Sequence, residues 1–273
     1  MKKNLLLAML ILIGTNLHAY VDSDMDGVED TVDKCPNTPL TDLADIGGCT
    51  VRSLVSPHRY NIIVGLDYSD SDYRILSTTD TLATSFQVDY YYKQFSFQAS
   101  TSFFTTDGSG YNDSGSYDSF LGVSYRLDKL DKIDNLSVSL SAGAILPTYD
   151  TELNNNNMDY SASVNLSYAL EDLNIFGGYT RTLINDDDVE EITYQDTNAF
   201  SMGVGHYLNS ELYMSLSYNI GDSIYNGVED VESATVYGYL SIDRDRFTTF
   251  SYSHGLSESA SDKYVSIRLG FLF

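Results

Sequence analysis

From residue 60 to the C-terminus, apolar and polar side chains alternate along segments of about ten residues, the length of a membrane-crossing strand. In the segment 160–170, Tyr, Ala, Val, Leu, Tyr and Leu take the even positions, and Ser or Asn takes most of the odd ones. The same pattern recurs over 136–144 and 212–220. A period of two places one set of side chains on each face of a β-strand. The region after residue 60 is therefore predicted to be all-β.

The segments are long compared with strands of soluble proteins, which average about five or six residues. The connections between them alternate between short and long, as in transmembrane barrels. We therefore predict an antiparallel up-and-down β-barrel of about 12 strands, with 10 or 14 as alternatives if one segment was merged or split. The predicted strands are 60–68, 81–91, 95–105, 118–127, 136–147, 160–170, 173–183, 197–208, 211–220, 234–243, 246–255 and 263–273.

An even strand number brings both ends of the barrel to one side of the membrane, which we expect to be the periplasmic side. The long connections then face outward, over 69–80, 106–117, 148–159, 184–196, 221–233 and 256–262. An acidic run at 186–191 and an Asn tract at 154–157 lie in two of them. We expect these to be solvated loops, with binding of cations or a surface partner as the alternative.

The first residues indicate export. Lys2 and Lys3 precede an apolar run at 5–13, and Leu17-His18-Ala19 ends in a small residue where a signal peptidase cleaves. This pattern predicts a signal peptide over 1–19. The run is too short for a transmembrane helix, and no longer one follows, which excludes a helical membrane protein.

The last segment supports the outer membrane as the destination. Its apolar positions end on Phe273, in phase with the apolar face. Such an end resembles the signal that the outer-membrane barrel assembly machinery reads. We expect contact with outer-membrane lipid and lipopolysaccharide as well, and a monomer.

Composition and charge agree with this interpretation. The chain has 23 Tyr, 12 Phe, no Trp and a net charge of −24. Aromatic residues favour strands and form girdles at membrane interfaces. Nucleic-acid binding is not expected, because it needs a basic surface. The negative charge is suited to calcium, to cationic ligands or to lipopolysaccharide bridged by divalent ions.

Carboxylates follow a regular spacing just after the signal peptide. Counted from Asp22, acidic residues fall at positions one, three, five, nine and twelve, Gly27 is at six, and Val28 at seven would offer its carbonyl. Calcium takes six to eight oxygen ligands, so several must converge from one short loop around a sharp turn. The predicted calcium ligands are Asp22, Asp24, Asp26, Val28, Asp30 and Asp33. Asp33 is a shorter arm than the usual Glu at position twelve.

The two cysteines, Cys35 and Cys49, are expected to pair in an oxidising compartment. Together with the carboxylates and Pro36, they make the segment resemble a thrombospondin type 3 repeat. Such repeats occur beside the barrel in OmpA-like proteins, and the resemblance implies calcium binding and a disulfide-closed spacer. In those proteins the repeat follows the barrel and leads to a peptidoglycan-binding domain; here it precedes the barrel, so peptidoglycan anchoring is not implied. The predicted organisation is signal peptide 1–19, calcium segment 20–50, linker 51–59 and barrel 60–273.

The strand phase turns mostly small polar residues toward the interior. Such a lining should leave room for water in a barrel of about twelve strands, so we predict a narrow passive channel for small hydrophilic solutes. A structural or adhesive envelope role through the acidic loops is the alternative. The interior is also predicted to hold five charged side chains, Asp67, Asp89, Arg126, Asp243 and Arg268. We expect them to form ion pairs, or else to set a local field in the pore.

Enzymatic activity is not expected. A barrel hydrolase needs a nucleophile held beside a base or an acid pair. After the signal peptide the only histidines are His58, His206 and His254, of which the last two fall on the predicted outward face. No constellation of Ser with a base is evident.

Overall fold

The computed structural model describes residues 22–24, 28–38, 46–50, 58–71, 78–108, 111–127, 135–150, 155–171, 173–189 and 192–273. The chain divides into two compact units, 1–56 and 57–273. The division lies inside the segment 51–59 that the sequence marks as a linker. The predicted signal peptide, 1–19, lies outside the described residues.

The second unit is all-β and antiparallel. Its strands within the described residues are β1 His58–Ser71, β2 Thr79–Tyr92, β3 Phe95–Gly108, β4 Tyr111–Ser116, β5 Ser119–Leu127, β6 Leu136–Leu146, β7 Asp159–Leu170, β8 Leu173–Leu183, β9 Thr197–Tyr207, β10 Leu212–Gly221, β11 Val231–Ser241, β12 Arg246–Gly255 and β13 Lys263–Leu272.

Twelve of these strands close into a barrel, counted over the described part of the chain. Each wall strand pairs with the next wall strand in sequence. Because β4 is not part of the wall, β3 pairs with β2 on one side and with β5 on the other. The first and last strands then pair with each other, from Asn61 opposite Leu272 to Asp70 opposite Lys263. Closure satisfies every edge, which is what a membrane requires of a sheet. The predicted fold class is thereby confirmed.

β4 is the extra strand, and it continues β5 rather than adding to the wall. Residues 95–100 of β3 pair with 125–120 of β5, whereas residues 103–108 pair with 116–111 of β4. Two residues of β3 thus oppose three residues, 117–119, which is a one-residue β-bulge. The segment 106–117, predicted as a long outward connection, contains paired strands, because β3 and β4 form a hairpin with Gly108 opposite Tyr111. Polar residues hid the pairing, since the hairpin lacks the apolar face that marks the other strands.

The apolar face points outward. Exposed apolar side chains alternate along the strands, for example Ile62, Val64 and Leu66 on β1, and Leu66 is 58% exposed. No large side chain of the described residues is fully buried, so the unit has no conventional apolar core. Such a surface is unfavourable in water and favourable in lipid. Among the described residues, no helix is long and apolar enough to cross a membrane.

Short turns close one end of the barrel. Lys93 and Glu171 occupy the left-handed region there, with φ of 54° and 51°. Both lie at turns that the sequence predicts. The segment 128–134, between the predicted strands 118–127 and 136–147, lies outside the described residues. We call this end, where β1 begins and β13 ends, the short-turn end, and the opposite end the long-loop end.

The first unit is held by a disulfide between Cys35 and Cys49, as predicted. Buried Thr38 adds to the closure, because its hydroxyl donates to the Gly48 carbonyl at 2.5 Å. Its amide also donates to Asp24 Oδ2 at 2.8 Å. In the chain-entropy model, closing a loop of this size stabilises the folded segment by about 3 kcal/mol.

Candidate functional site in the barrel lumen

The lumen is lined by the second set of alternating side chains. On β1, Asn61, Gly65 and Asp67 are buried while their chain neighbours are exposed. Strand register carries this inward row around the wall. Asn61 lies opposite Asp89, and Gly65 lies between Ser85 and Arg268. The lining is therefore mainly polar. Small residues such as Gly65 occur where a longer side chain from the neighbouring strand, such as Arg268, lies over them.

Asp67 organises one charged cluster. Its Oδ1 accepts a hydrogen bond from the Tyr264 hydroxyl at 2.8 Å and lies 3.7 Å from Arg268 Nη2. Arg268 also donates from Nε to Ser266 Oγ at 3.4 Å. A Cβ at Gly65 would lie 2.8 Å from Cγ of Arg268, so the glycine makes room for the arginine stem. Asp67 and Arg268, both predicted to face the lumen, are thus neighbours there.

Asp89 organises a second cluster nearer the short-turn end. The Gln87 amide donates to both of its oxygens, at 2.9 and 3.2 Å, and the Tyr91 hydroxyl lies 3.4 Å from Oδ2. The Arg59 guanidinium lies 4.5 Å from the centre of the Tyr91 ring, close enough for a cation–π interaction. This carboxylate is therefore held by neutral donors rather than by a direct salt bridge.

The remaining two predicted lumen charges lie elsewhere. Arg126 is the penultimate residue of β5, exposed and at the short-turn end. Asp243 is not on an inward strand position, because β11 ends at Ser241 and the chain turns there. It accepts from Arg246 Nε at 2.8 Å, and this hydrogen bond holds the pKa of the Asp243 carboxyl below its usual range. The error arose from extending the alternation of β11 through the turn.

Between the clusters lies a cavity of about 510 Å³, which we call the lumen cavity. Its wall is built by β1, β2 and β11–β13. Its lining includes Arg59, Asn61, Tyr91, Tyr237 and Tyr239, none of which was among the predicted site residues. Arg59 was assigned to the linker, although it shares the inward phase of Asn61 and extending the alternation by two residues would have found it. The tyrosines meet only through the register of strands distant in sequence.

Inward aromatic rings lie flat against glycines of neighbouring strands. A Cβ at Gly270 would lie 2.1 Å from the Phe247 ring, and one at Gly205 would lie 1.9 Å from the Tyr213 hydroxyl. Phe176 covers Gly203 in the same way. Because these rings lie along the wall, they take less space from the lumen than upright side chains would.

The carboxylates at the long-loop end accept backbone hydrogen bonds between loops. Asn157 donates its amide to Asp186 Oδ1 at 2.8 Å, and Asn185 donates to Asp159 Oδ1 at 2.7 Å. Asp188 accepts from the Tyr194 amide at 2.9 Å. The acidic run at 186–191 is therefore more than a solvated loop over its described residues, since Asp186 links it to the loop at 148–159 and Asp188 accepts a hydrogen bond within its own loop.

The described calcium ligands are hydrogen-bonded within their own segment. The Ser23 hydroxyl and amide donate to Asp30 at 2.6 and 2.8 Å, which lowers the pKa of that carboxyl. Asp33 Oδ1 accepts from the Cys35 amide at 2.8 Å. In the described part of the chain, no three His, Cys, Asp or Glu side chains are grouped to hold a metal. Asp26 and Gly27 lie outside the described residues. The predicted ligand set, which includes Asp22 and Val28, offers oxygen donors alone, and this donor chemistry fits calcium.

The three histidines that the structure describes lie away from the lumen clusters. His206 and His254 are exposed on outward positions of β9 and β12. His58, at the start of β1, stacks on Tyr90 and Tyr92, and its Nδ1 lies 2.6 Å from the Tyr90 hydroxyl. His58 and these two tyrosines form part of an aromatic group at the short-turn end.

Comparison with known proteins shows similarity in fold. No family model and no curated protein sequence matches the chain. Among solved structures, an outer membrane channel from Pseudomonas putida F1 matches with a TM-score of 0.66 and 11% identity, over 82% of this chain and 98% of that one. The translocator domain of the autotransporter NalP from Neisseria meningitidis matches at 0.47 and 10%, over 82% and 90%. A loop-deletion mutant of the Vibrio cholerae outer membrane protein OmpT matches at 0.39 and 12%, over 79% and 98%. The first match supports the assignment to the outer-membrane barrel fold.

Proposed function

We propose that the protein is an outer-membrane barrel that lets small hydrophilic solutes pass passively. The observation that carries the proposal is the combination of an apolar exterior with a polar, cavity-bearing interior inside a closed wall. Lipid stabilises the exterior, while the inward carboxylates, amides and hydroxyls need water or one another. The similarity in fold to an outer membrane channel supports the same conclusion. In this proposal the short-turn end faces the periplasm.

Reconstitution into a planar lipid bilayer tests the proposal. The folded protein should produce stepwise, ohmic single-channel currents, and heat-denatured protein should produce none. Arg268→Ala should change ion selectivity, because it removes a positive charge beside Asp67. A correctly folded barrel that inserts and yet carries no current would contradict passive passage.

An adhesive role is the second candidate, favoured by the ordering of the long loops. Loops held by carboxylate-to-backbone hydrogen bonds lose less conformational freedom on binding a partner. Absence of current together with surface binding that disappears when 184–196 is deleted would favour this role. A hydrolytic role is not part of the proposal, because no histidine of the described residues lies beside the lumen clusters.

We also propose calcium binding by the first unit. The disulfide closes this segment, and Asp24 and Asp30 each accept a hydrogen bond from a backbone amide, which ties two of the predicted ligands to the backbone. Calorimetric titration of the full chain should show calcium binding that Asp26→Ala abolishes. Glu29→Gln is the matched control, since position eight of the loop supplies no ligand. Equal binding by both variants would overturn the assignment.

A further inference from the structure

One polar atom in the wall of the lumen cavity, the side-chain oxygen of Asn61, has no hydrogen-bond partner. Asn61 is 7% exposed, and its Nδ2 donates to the Tyr91 hydroxyl at 3.3 Å, while its Oδ1 is buried with no donor. Leaving a buried acceptor unmatched costs about 1–3 kcal/mol, so folded proteins rarely do so without a reason. The amide turns about a broad torsion and can therefore meet a donor that enters the cavity.

The other lining groups offer both donors and acceptors. Arg59 and Arg268 supply donors, Asp89 supplies carboxylate oxygens, and Thr249 and Ser251 supply hydroxyls. The two arginines are balanced by Asp89, which lines the cavity, and by Asp67, which lies outside the lining but 3.7 Å from Arg268; both carboxylates are at least nine-tenths buried. A charged solute would upset this balance. A neutral solute with many hydroxyls could donate to and accept from these groups without leaving a charge uncompensated.

Aromatic surfaces complete the wall. Tyr91, Tyr237, Tyr239 and Tyr264 line the cavity, and the Tyr239 ring stacks on Phe247 with centroids 5.2 Å apart. Tyrosine presents an apolar face and a polar tip, which suits a ring-shaped solute with apolar faces and hydroxylated edges. The cavity volume of about 510 Å³ falls in the range of small-molecule sites, roughly 300–1,000 Å³.

We infer that the lumen cavity is a binding site for neutral saccharides of one or two rings, with Asn61 Oδ1 accepting from a sugar hydroxyl and the tyrosines contacting the ring faces. The inference rests on the proposed function and extends it, because it identifies the class of solute that binds inside the channel during passage.

Calorimetry on the folded full chain in detergent tests the site without relying on conduction. Glucose and maltose should bind, and succinate at equal ionic strength should not. Asn61→Ala should weaken sugar binding about tenfold, the effect of removing one buried hydrogen bond. Asn165→Ala is the matched control, because Asn165 also faces the lumen, on β7, away from the cavity. Its affinity should equal that of the wild type.

The outcomes separate the two proposals. Sugar binding without current would support the binding site and contradict passive passage. Current without sugar binding would overturn the binding site but would still support the proposed channel. Binding of succinate in place of sugars, lost in Arg59→Ala, would also overturn the assignment and identify an anion site. If Asn61→Ala does not fold, the sugar affinities of Asn61→Ser and Arg59→Ala are compared with that of the wild type instead. Equal sugar affinity in all variants would show that these residues do not form the binding site.

Discussion

Individual aspartates at the long-loop end replace the strand hydrogen bonds that are lost when the chain leaves the sheet. Asp118 accepts from the Tyr149 amide at 2.8 Å, and Asp196 accepts from the Ile184 amide at 3.1 Å. Charge-assisted hydrogen bonds of this kind are stronger than those between neutral groups. The large negative charge of the chain therefore has a structural use in its loops, in addition to its effect on solubility.

Acid should loosen these contacts, and Asp222 is the clearest case. The side-chain and backbone amides of Asn198 donate to its Oδ2 at 2.7 and 2.8 Å, which lowers the pKa of Asp222 below the usual 3.8. Its contribution is thus fully present above pH 3.8 and is lost as pH falls through the lowered value. Hydrogen exchange of the Asn198 amide should accelerate over that range, relative to its intrinsic rate. Asp222→Asn should remove the transition and Glu229→Gln, in the same loop, should keep it; an unchanged profile in Asp222→Asn would contradict this role.

Gly203 should tolerate no side chain. A Cβ there would lie 2.6 Å from the Leu216 carbonyl oxygen and 2.5 Å from the Phe176 ring, and the carbonyl belongs to the sheet and cannot move aside. Gly203→Ala should lower the free energy of unfolding by about 1–3 kcal/mol, as overpacking does. Urea titration in detergent measures the change. Gly115→Ala, whose Cβ would meet Phe104 at 3.4 Å, should be near neutral, and equal effects of the two substitutions would contradict the argument.

At the level of elements, the short turns determine how neighbouring strands are aligned. Lys93 joins β2 to β3 in the left-handed region, so that Tyr92 pairs with Phe95 and the register continues to Thr79 opposite Gly108. A slip of one residue would turn apolar side chains into the lumen. The turn conformation and the alternation therefore specify the same register.

A β-branched residue at position 93 should weaken this hairpin. Its side chain is crowded in the left-handed region, so Lys93→Val should cost about 1–2 kcal/mol of stability. Lys93→Asn should cost much less, because Asn tolerates this conformation. The midpoint of urea unfolding in detergent compares the two. Equal midpoints would show that the turn conformation contributes little.

At the level of the whole molecule, stability depends on which face each residue presents. Val164, on β7, points outward and is 38% exposed, and its neighbour Ser163 points into the lumen. Val164→Arg should destabilise the barrel in lipid by about 2–4 kcal/mol, the cost of a cation near the bilayer midplane. Ser163→Arg should cost far less. Equal costs, measured by unfolding in lipid vesicles, would contradict the assignment of a lipid-facing exterior.

The sequence alone determined the strands and their two faces, because a period of two is a local property that survives in any barrel register. All twelve wall strands were predicted within a few residues of their observed bounds, and the Cys35–Cys49 pair was predicted as well. Tertiary structure alone decided which inward residues meet. The lumen cavity depends on the pairing of β1 with β13, which are distant in sequence. The β4 hairpin and the Arg59–Tyr91 contact join consecutive strands, but the apolar alternation did not show that these residues pair. Alternation states which side of the wall a residue faces, but only the register determines its neighbours around the barrel.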